Sequence, residues 1–404
     1  MPMRRWSERE VIDALTPRVK LKVIDVEAEV ALAKQKGLKR WLLDKLTEAF
    51  DEARRGKLKT SDENSFEVNW IENIVNLRDA IIERRYEPGA SVAFVIFEPM
   101  VREIFASQFK DRVVHHFLYD MQAEWWDRRF INESFSCRVN KGTLAAIKCA
   151  QRHMRQVSHN GKRDAMVFKG DISGYFMSLP RAKLYERVKW GLDKQFAEVM
   201  NDPIGYQIYD ICRFLWEMVL FDNPTDKSWK RGDRKNWDPK VLPPKKSLYC
   251  QPPGYGIVIG NLTSQLVSNI YLDQLDRYLR YTLGYVYTAR YVDDFYIMVD
   301  RRDWKRLSRD IPKIEAFLRD ELGLTLHPQK RYIQNVSKGM NFVGARVHLN
   351  CIYPSNRIQS HFPKALEKLI CEDGDLEPVI SYMGMMKHFD SYKYVKKVME
   401  EFDM

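Results

Sequence analysis

Two neighbouring aspartates, Asp293 and Asp294, interrupt a run of strand-forming residues from Tyr285 to Asp300 (YVYTARYVDDFYIMVD). Acids are poor strand formers, so the pair is expected at the tip of a two-residue hairpin turn. Taken alone, an Asp-Asp hairpin tip is an ordinary turn. A third acid, Asp171, closes a separate run, Ala165 to Asp171 (AMVFKGD), that reads as a buried strand. If the two strands share one sheet, three carboxylates meet at one edge. Like charges packed that closely repel and raise one another's pKa unless a cation neutralises them. Mg²⁺ takes one or two carboxylates together with substrate phosphates and suits such an edge. Two such ions about 3.5–4 Å apart activate a 3′-hydroxyl and stabilise a leaving pyrophosphate, which is the chemistry of nucleotidyl transfer.

The elements that would position these acids belong to a chain of 404 residues with 66 Lys and Arg against 55 Asp and Glu, a net charge of +11. That length suggests two or three domains. A hydrophobic share of 45% and a charged share of 30% are globular values and exclude a disordered chain. No run of 18 apolar residues occurs, so no membrane span is expected. Met1 to Arg5 is basic but leads into Trp6-Ser7-Glu8-Arg9-Glu10 without an apolar signal core, which points to the cytoplasm. The six cysteines never form a C-x-x-C pair, which argues against a zinc ribbon and a secreted disulfide framework. His115-His116, the one close histidine pair, is expected to be structural. A pI near 9.2 favours polyanionic partners such as nucleic acid.

Residues 1 to about 85 read as helical and charged, with Leu42, Leu43, Leu46 and Phe50 and then Ile71, Ile74, Val75, Leu77 and Ile81 at helical spacing. Pro88-Gly89 is a turn, Ser91 to Phe97 a short strand, and Phe109 to Trp126 a helix. Ser178 and Pro180 mark the start of the helix after Asp171. Residues 222–253 hold six prolines and eight Lys or Arg and read as a long basic loop, either a solvated surface insertion or a nucleic-acid contact. After Gly344 the chain is expected to return to helix, with Ala365, Leu366, Leu369 and Ile370 followed by Met383, Met386, Tyr392, Val395 and Val398. No internal repeat or low-complexity tract occurs.

In this context Tyr291-Val292-Asp293-Asp294 resembles the Y-x-D-D box of reverse transcriptases, and Asp171 with Phe176 resembles their first palm motif. Further blocks resemble the same family in order. Arg102-Glu103-Ile104 and Asp111-Arg112-Val113-Val114 are similar to the fingers segment, and Ser136-Cys137-Arg138 with Gly142-Thr143 to the next block. Gly256 to Gln265 and Asn269-Ile270-Tyr271-Leu272 resemble the motif before the catalytic hairpin. Leu322-Gly323-Leu324 through Lys330, and Phe342-Val343-Gly344, resemble the last palm motifs. Together these blocks span about residues 70 to 346. Most of the family reads P-Q-G-x-x-x-S-P where this chain has Val258-Ile259-Gly260-Asn261-Leu262-Thr263-Ser264-Gln265. The apolar residue before the glycine and the Gln after the serine resemble the enzymes of diversity-generating retroelements, as does Leu242-Pro243 through Lys246-Ser247-Leu248.

The resemblance implies an α+β right-hand polymerase. Its parts would be an N-terminal helical extension (1–85), fingers (86–165), a palm with an antiparallel sheet (166–345, carrying the insertion 222–253) and a helical thumb (346–404). It implies an RNA-directed DNA polymerase that copies template RNA into cDNA and misincorporates opposite adenine. Related phage-defence or other bacterial reverse transcriptases, and a non-catalytic RNA-binding scaffold of the same fold, are the alternatives.

The site residues implied in this way are Asp171, Asp293 and Asp294 as ligands of two Mg²⁺ ions, replaceable by Mn²⁺, with Ile172 lending its backbone carbonyl. Lys330 would protonate departing pyrophosphate. Arg102 would clamp the triphosphate of an incoming deoxynucleotide through its guanidinium fork. Phe176 would pack under the sugar and crowd out a 2′-hydroxyl. Gly260 would let the backbone approach the template–nucleotide pair, with Ser264 near the start of a helix from Gln265 to Leu279. Ile259 and Gln265 are tied to fidelity, because an apolar side chain donates no hydrogen bond to base or sugar. One departure stands out: Pro99-Met100-Val101-Arg102 lacks the Lys of a P-K-P-R arrangement, leaving Arg112 or Lys110 to supply that charge. The implied partners are template RNA, the cDNA/RNA duplex, deoxynucleoside triphosphates and a small basic helical accessory protein, with no membrane. The helical C-terminal region would hold an A-form-like duplex through backbone contacts.

Overall fold

Trp41, Leu42, Leu46, Ala49, Phe50 and Ala53 recur at helical spacing, and all six are buried on one face of a single helix. The computed structural model describes residues 21–55, 60–97, 100–371 and 376–402. The readings on Met1 to Glu10 and on Pro99 lie outside the described residues. In chain order, helices α1 (Val26–Lys36), α2 (Leu38–Ala53), α3 (Ser61–Val68) and α4 (Trp70–Ile82) lead into strands β1 (Val92–Ile96) and β2 (Arg102–Ala106). Helix α5 (Phe109–Asp127), helix α6 (Thr143–Val157), strand β3 (Ala165–Asp171) and the single turn α7 (Tyr175–Ser178) follow. Next come α8 (Arg181–Gln195), α9 (Pro203–Phe221), β4 (Trp229–Lys230) and α10 (Leu262–Arg277). Strands β5 (Tyr287–Tyr291) and β6 (Asp294–Asp300) precede α11 (Trp304–Ala316) and β7 (Tyr332–Asn335). The chain continues through β8 (Met340–Phe342), β9 (Ala345–Val347) and β10 (Ile352–Pro354) to α12 (Asn356–Cys371), α13 (Glu377–Met386) and α14 (Tyr392–Glu401). The class is α+β.

The described residues fall into two units. The first runs to residue 130 and resumes over 174–273; the second holds 131–173 and everything from 274 onward. In the first unit β1 pairs antiparallel with β2 and parallel with β4, in the order β2-β1-β4. Residues 222–253 are therefore not a plain loop. They add β4 to this sheet and carry short helical turns at Pro224–Lys227, Arg234–Trp237, Pro244–Lys246 and Leu248–Cys250. Pro224 and Pro244 open two of these turns, since the fixed φ of proline suits a first helical position. A buried carboxylate ties the insertion down. Glu103 accepts from the Ser247 hydroxyl (2.9 Å) and the Trp237 indole (2.8 Å), and also bonds the Leu248 amide.

In the second unit four antiparallel strands lie in the order β5-β6-β3-β7. Val167, Ala289, Tyr296 and Met298 from this sheet pack against Ala146, Ile147, Ala150 and Met154 of α6. The chain does not turn helical directly after Gly344: β9 and β10 come first and complete a small meander with β8, with β9 in the middle. The sequence reading missed it because three-residue strands are too short to show a period. Helices α12–α14 then build their own core from Ile358, Phe362, Leu366, Val379, Met386 and Val398. No helix among the described residues is long and apolar enough to cross a membrane. The six cysteines are free thiols.

Two boundaries differ locally from expectation. The β5–β6 hairpin pairs Tyr291 with Asp294, so its two-residue loop is Val292-Asp293, and Asp294 is the first residue of β6. Val292 takes φ +56°, a left-handed value unusual for a β-branched residue, at the loop position where a II′ turn normally has glycine. Pro180 is the N-cap of α8, whereas the Ser178 hydroxyl bonds back to the Tyr175 carbonyl (3.2 Å) and closes α7 instead.

Candidate active site

The second unit joins acids that are far apart in sequence. β3 and β6 are register neighbours over their full length, and the last pair of that ladder is Asp171 opposite Asp294. Directly opposed residues of an antiparallel pair present their side chains on the same face, with Cβ atoms about 4.5–5.5 Å apart. Asp293 sits one residue earlier, in the hairpin loop, and its carbonyl accepts from the Ile172 amide (3.1 Å). Gly170 is required by this closure, because a Cβ there would lie 2.7 Å from the Phe295 ring. Past Asp171, Ile172 bridges to Leu326, and His327 donates its amide to the Asp171 carbonyl (2.7 Å). The turn after His327 then brings Lys330 back, with Nζ 3.1 and 3.3 Å from the two Asp171 oxygens. Asp171, Asp294 and Lys330 thus stand together at one end of the sheet, with the backbone of Ile172 and Asp293 beside them.

Electrostatics inside the cluster are uneven. Burial pushes the Asp294 carboxyl up to about 7; Lys169 opposes the rise, and the charges of Asp293 and Asp171 add to it. The Lys169 ammonium lies 2.7 Å from Asp294 Oδ1, with both side chains mostly shielded from solvent. Each of the two facing carboxylates therefore holds one ammonium. Among the described residues no three His, Cys, Asp or Glu side chains stand grouped as around a metal ion. Mg²⁺ itself takes only one or two carboxylates and completes its shell with water and phosphate oxygens.

Two residues of this cluster escaped the sequence reading. Lys169 is two positions before Asp171, hence on the same face of β3, and the one basic residue of that strand was the available signal. Arg290 is the other: almost fully buried, it pairs with Asp276 (Nε–Oδ1 2.9 Å, Nη2–Oδ2 2.7 Å) and donates to the Ser134 hydroxyl (3.0 Å). A further Arg290 bond reaches the Val292 carbonyl (3.0 Å), so this guanidinium holds the strained hairpin loop.

The remaining candidates lie in the first unit. Arg102 opens β2 and is exposed. Phe176 sits in α7, half-buried, and its carbonyl accepts from the Ile257 amide (2.9 Å). Ile259 accepts at its carbonyl from the Phe105 amide (3.1 Å), which lays the Ile259-Gly260 segment along β2. Gly260 has φ +130°, and a Cβ there would come within 3.0 Å of the Phe105 carbonyl. Gln265 is exposed on α10, which starts three residues earlier than expected. His115 is buried with Nδ1 2.9 Å from the Thr263 hydroxyl, as a structural histidine should be.

No protein family matches the chain in a scan of family profiles. No curated protein matches it either. Among solved structures it is similar to telomerase from Candida albicans in complex with the TWJ fragment of telomeric RNA, at 10% identity and a TM-score of 0.44 over 95% of this chain and 69% of that one.

Proposed function

We propose that the protein is an RNA-directed DNA polymerase, of the error-prone type found in diversity-generating retroelements. The observation that supports the reading best is the pairing of Asp171 with Asp294 across β3 and β6, next to Asp293 in the hairpin loop. On this reading Asp171, Asp293, Asp294 and the Ile172 carbonyl hold Mg²⁺. When bound, the metal activates the primer 3′-hydroxyl and stabilises the leaving pyrophosphate. Lys330, within reach of Asp171, gives a proton to the departing pyrophosphate. Lys169 keeps a counter-charge on Asp294, and Arg290 holds the loop that presents Asp293. Arg102 binds the triphosphate, Phe176 packs against the sugar, and Ile259, Gly260 and Gln265 contact the nascent pair.

Primer extension on an RNA template with Mg²⁺ and deoxynucleotides tests this reading. Wild type should extend, while Asp171→Asn and the Asp293→Ala/Asp294→Ala pair should lose about a hundred- to a thousandfold, on the scale of removing a main electrostatic element of a site. Equal extension by all three proteins overturns it. Ile259→Gln should lower misincorporation opposite adenine, and an unchanged error spectrum removes the retroelement assignment while leaving the polymerase intact. A non-catalytic scaffold is favoured by one observation, the ammonium on each facing carboxylate, and absence of extension by wild type would select it.

A further inference from the structure

Helix α6 has two unlike faces. Ala146, Ile147, Ala150, Met154 and Val157 are buried in the core of the second unit. Lys148, Arg152 and Arg155 lie on the other face, at spacings of four and three, and His159 follows four residues later, just past the helix end; all four are exposed. With Gln151, Gln156 and Asn160 they line a groove of about 360 Å³ that no carboxylate and no apolar side chain enters. The groove is braced from one side. Arg155 Nε donates to the Leu349 carbonyl (2.7 Å), and the Gln151 amide donates to the His348 carbonyl (3.1 Å).

The composition of this lining selects its ligand. A protein partner of ordinary kind would want an apolar centre, and none is present. A nucleic-acid backbone wants Lys, Arg and amides, which are the groups that position phosphates. From Lys148 to His159 the row runs about 16 Å along the helix axis at about 1.5 Å per residue, long enough to follow several successive phosphates of one strand. Three amides that both donate and accept suit a 2′-hydroxyl, which does the same. A helix C-terminus attracts cations within its last turn, which accounts for Arg155 but not for Lys148 or Arg152.

We propose that this groove binds the sugar–phosphate backbone of RNA, at a site that shares no residue with the Asp171–Asp294 cluster. It holds RNA whether or not the cluster is catalytic, so it stands or falls separately from the polymerase reading.

The test uses the full chain and a labelled 20-base-pair RNA hairpin, with affinity followed by anisotropy from 50 to 300 mM salt. Lys148→Gln/Arg152→Gln/Arg155→Gln should weaken binding at least about tenfold and flatten the log–log salt slope by about 2 to 3. Lys148→Glu alone, at an exposed site, should weaken it in the same direction without altering thermal stability. Lys148→Arg/Arg152→Lys/Arg155→Lys should restore both affinity and slope. Extension of a short pre-annealed primer–template should be unchanged in all variants. Unchanged affinity and slope in both the triple-Gln and the Lys148→Glu proteins overturns the proposal. So does equal, equally groove-dependent binding of a DNA hairpin of the same sequence, or displacement of the RNA by an equal charge of poly-glutamate.

Discussion

Asp294 and Lys169 show how little of a charged site is set by the acids alone. An acid raised to about 7 by burial is only half ionised at neutral pH, and its ammonium neighbour keeps the rise from going further. Replacing Lys169 with Met should therefore cut extension by about tenfold or more and shift the acidic limb of the pH–rate profile to higher pH. Lys169→Arg should recover most of both, and a profile that does not move refutes the electrostatic role. Arg290 carries a different load. Arg290→Met removes the guanidinium that pairs with the buried Asp276 and should cost about 3–5 kcal/mol in urea unfolding, as for other broken buried pairs. Adding Asp276→Leu should return much of that loss. Both residues were visible in the sequence as the one basic residue of a β-rich run. What hid their meaning was the pairing partner, which only the sheet supplies.

At the scale of elements, the strands and long helices were legible because their periods are long enough to read. β3 was anticipated to the residue, and α5 and β1 to within a residue at each end. The insertion over 222–253 was not, since its order comes from long-range contacts with β1 and Glu103 rather than from any local pattern. Glu103 should thus act as the latch of the whole insertion. Glu103→Ala removes the acceptor of three donors and should raise the rate of limited proteolysis within 222–253 severalfold, whereas cleavage elsewhere stays slow. Protection equal to wild type would show that β4 alone secures the segment. The hairpin loop was misplaced by one residue because a strand can begin on an acid when the acid has a partner across the ladder, as Asp294 has.

For the molecule as a whole, two buried histidines set an acid limit. Burial lowers His115 to about 3 and His153 to about 4, in the first and second unit respectively. His153 Nδ1 lies 3.0 Å from the Tyr296 hydroxyl. In the unfolded chain each titrates near 6.5, so below that pH the unfolded state binds protons that the folded state refuses. Their contribution is complete above about pH 6.5 and drains away as the pH falls toward 4. The urea midpoint should decline over that interval, and His153→Gln should flatten the decline in part. An identical slope in wild type and variant would assign acid sensitivity to other groups.

The ladder that ends at Asp171 and Asp294 leaves the two adjacent acids in unlike settings. One is anchored in a strand and the other rides on a turn of two residues. A one-residue deletion in β6 would, with the turn held, rotate every side chain beyond it to the opposite surface, or, with the strand held, draw Asp293 out of the loop and into the ladder. The hairpin is therefore a stretch where chain length is far less negotiable than side-chain identity, and natural variation there should take the form of replacements and never of gaps.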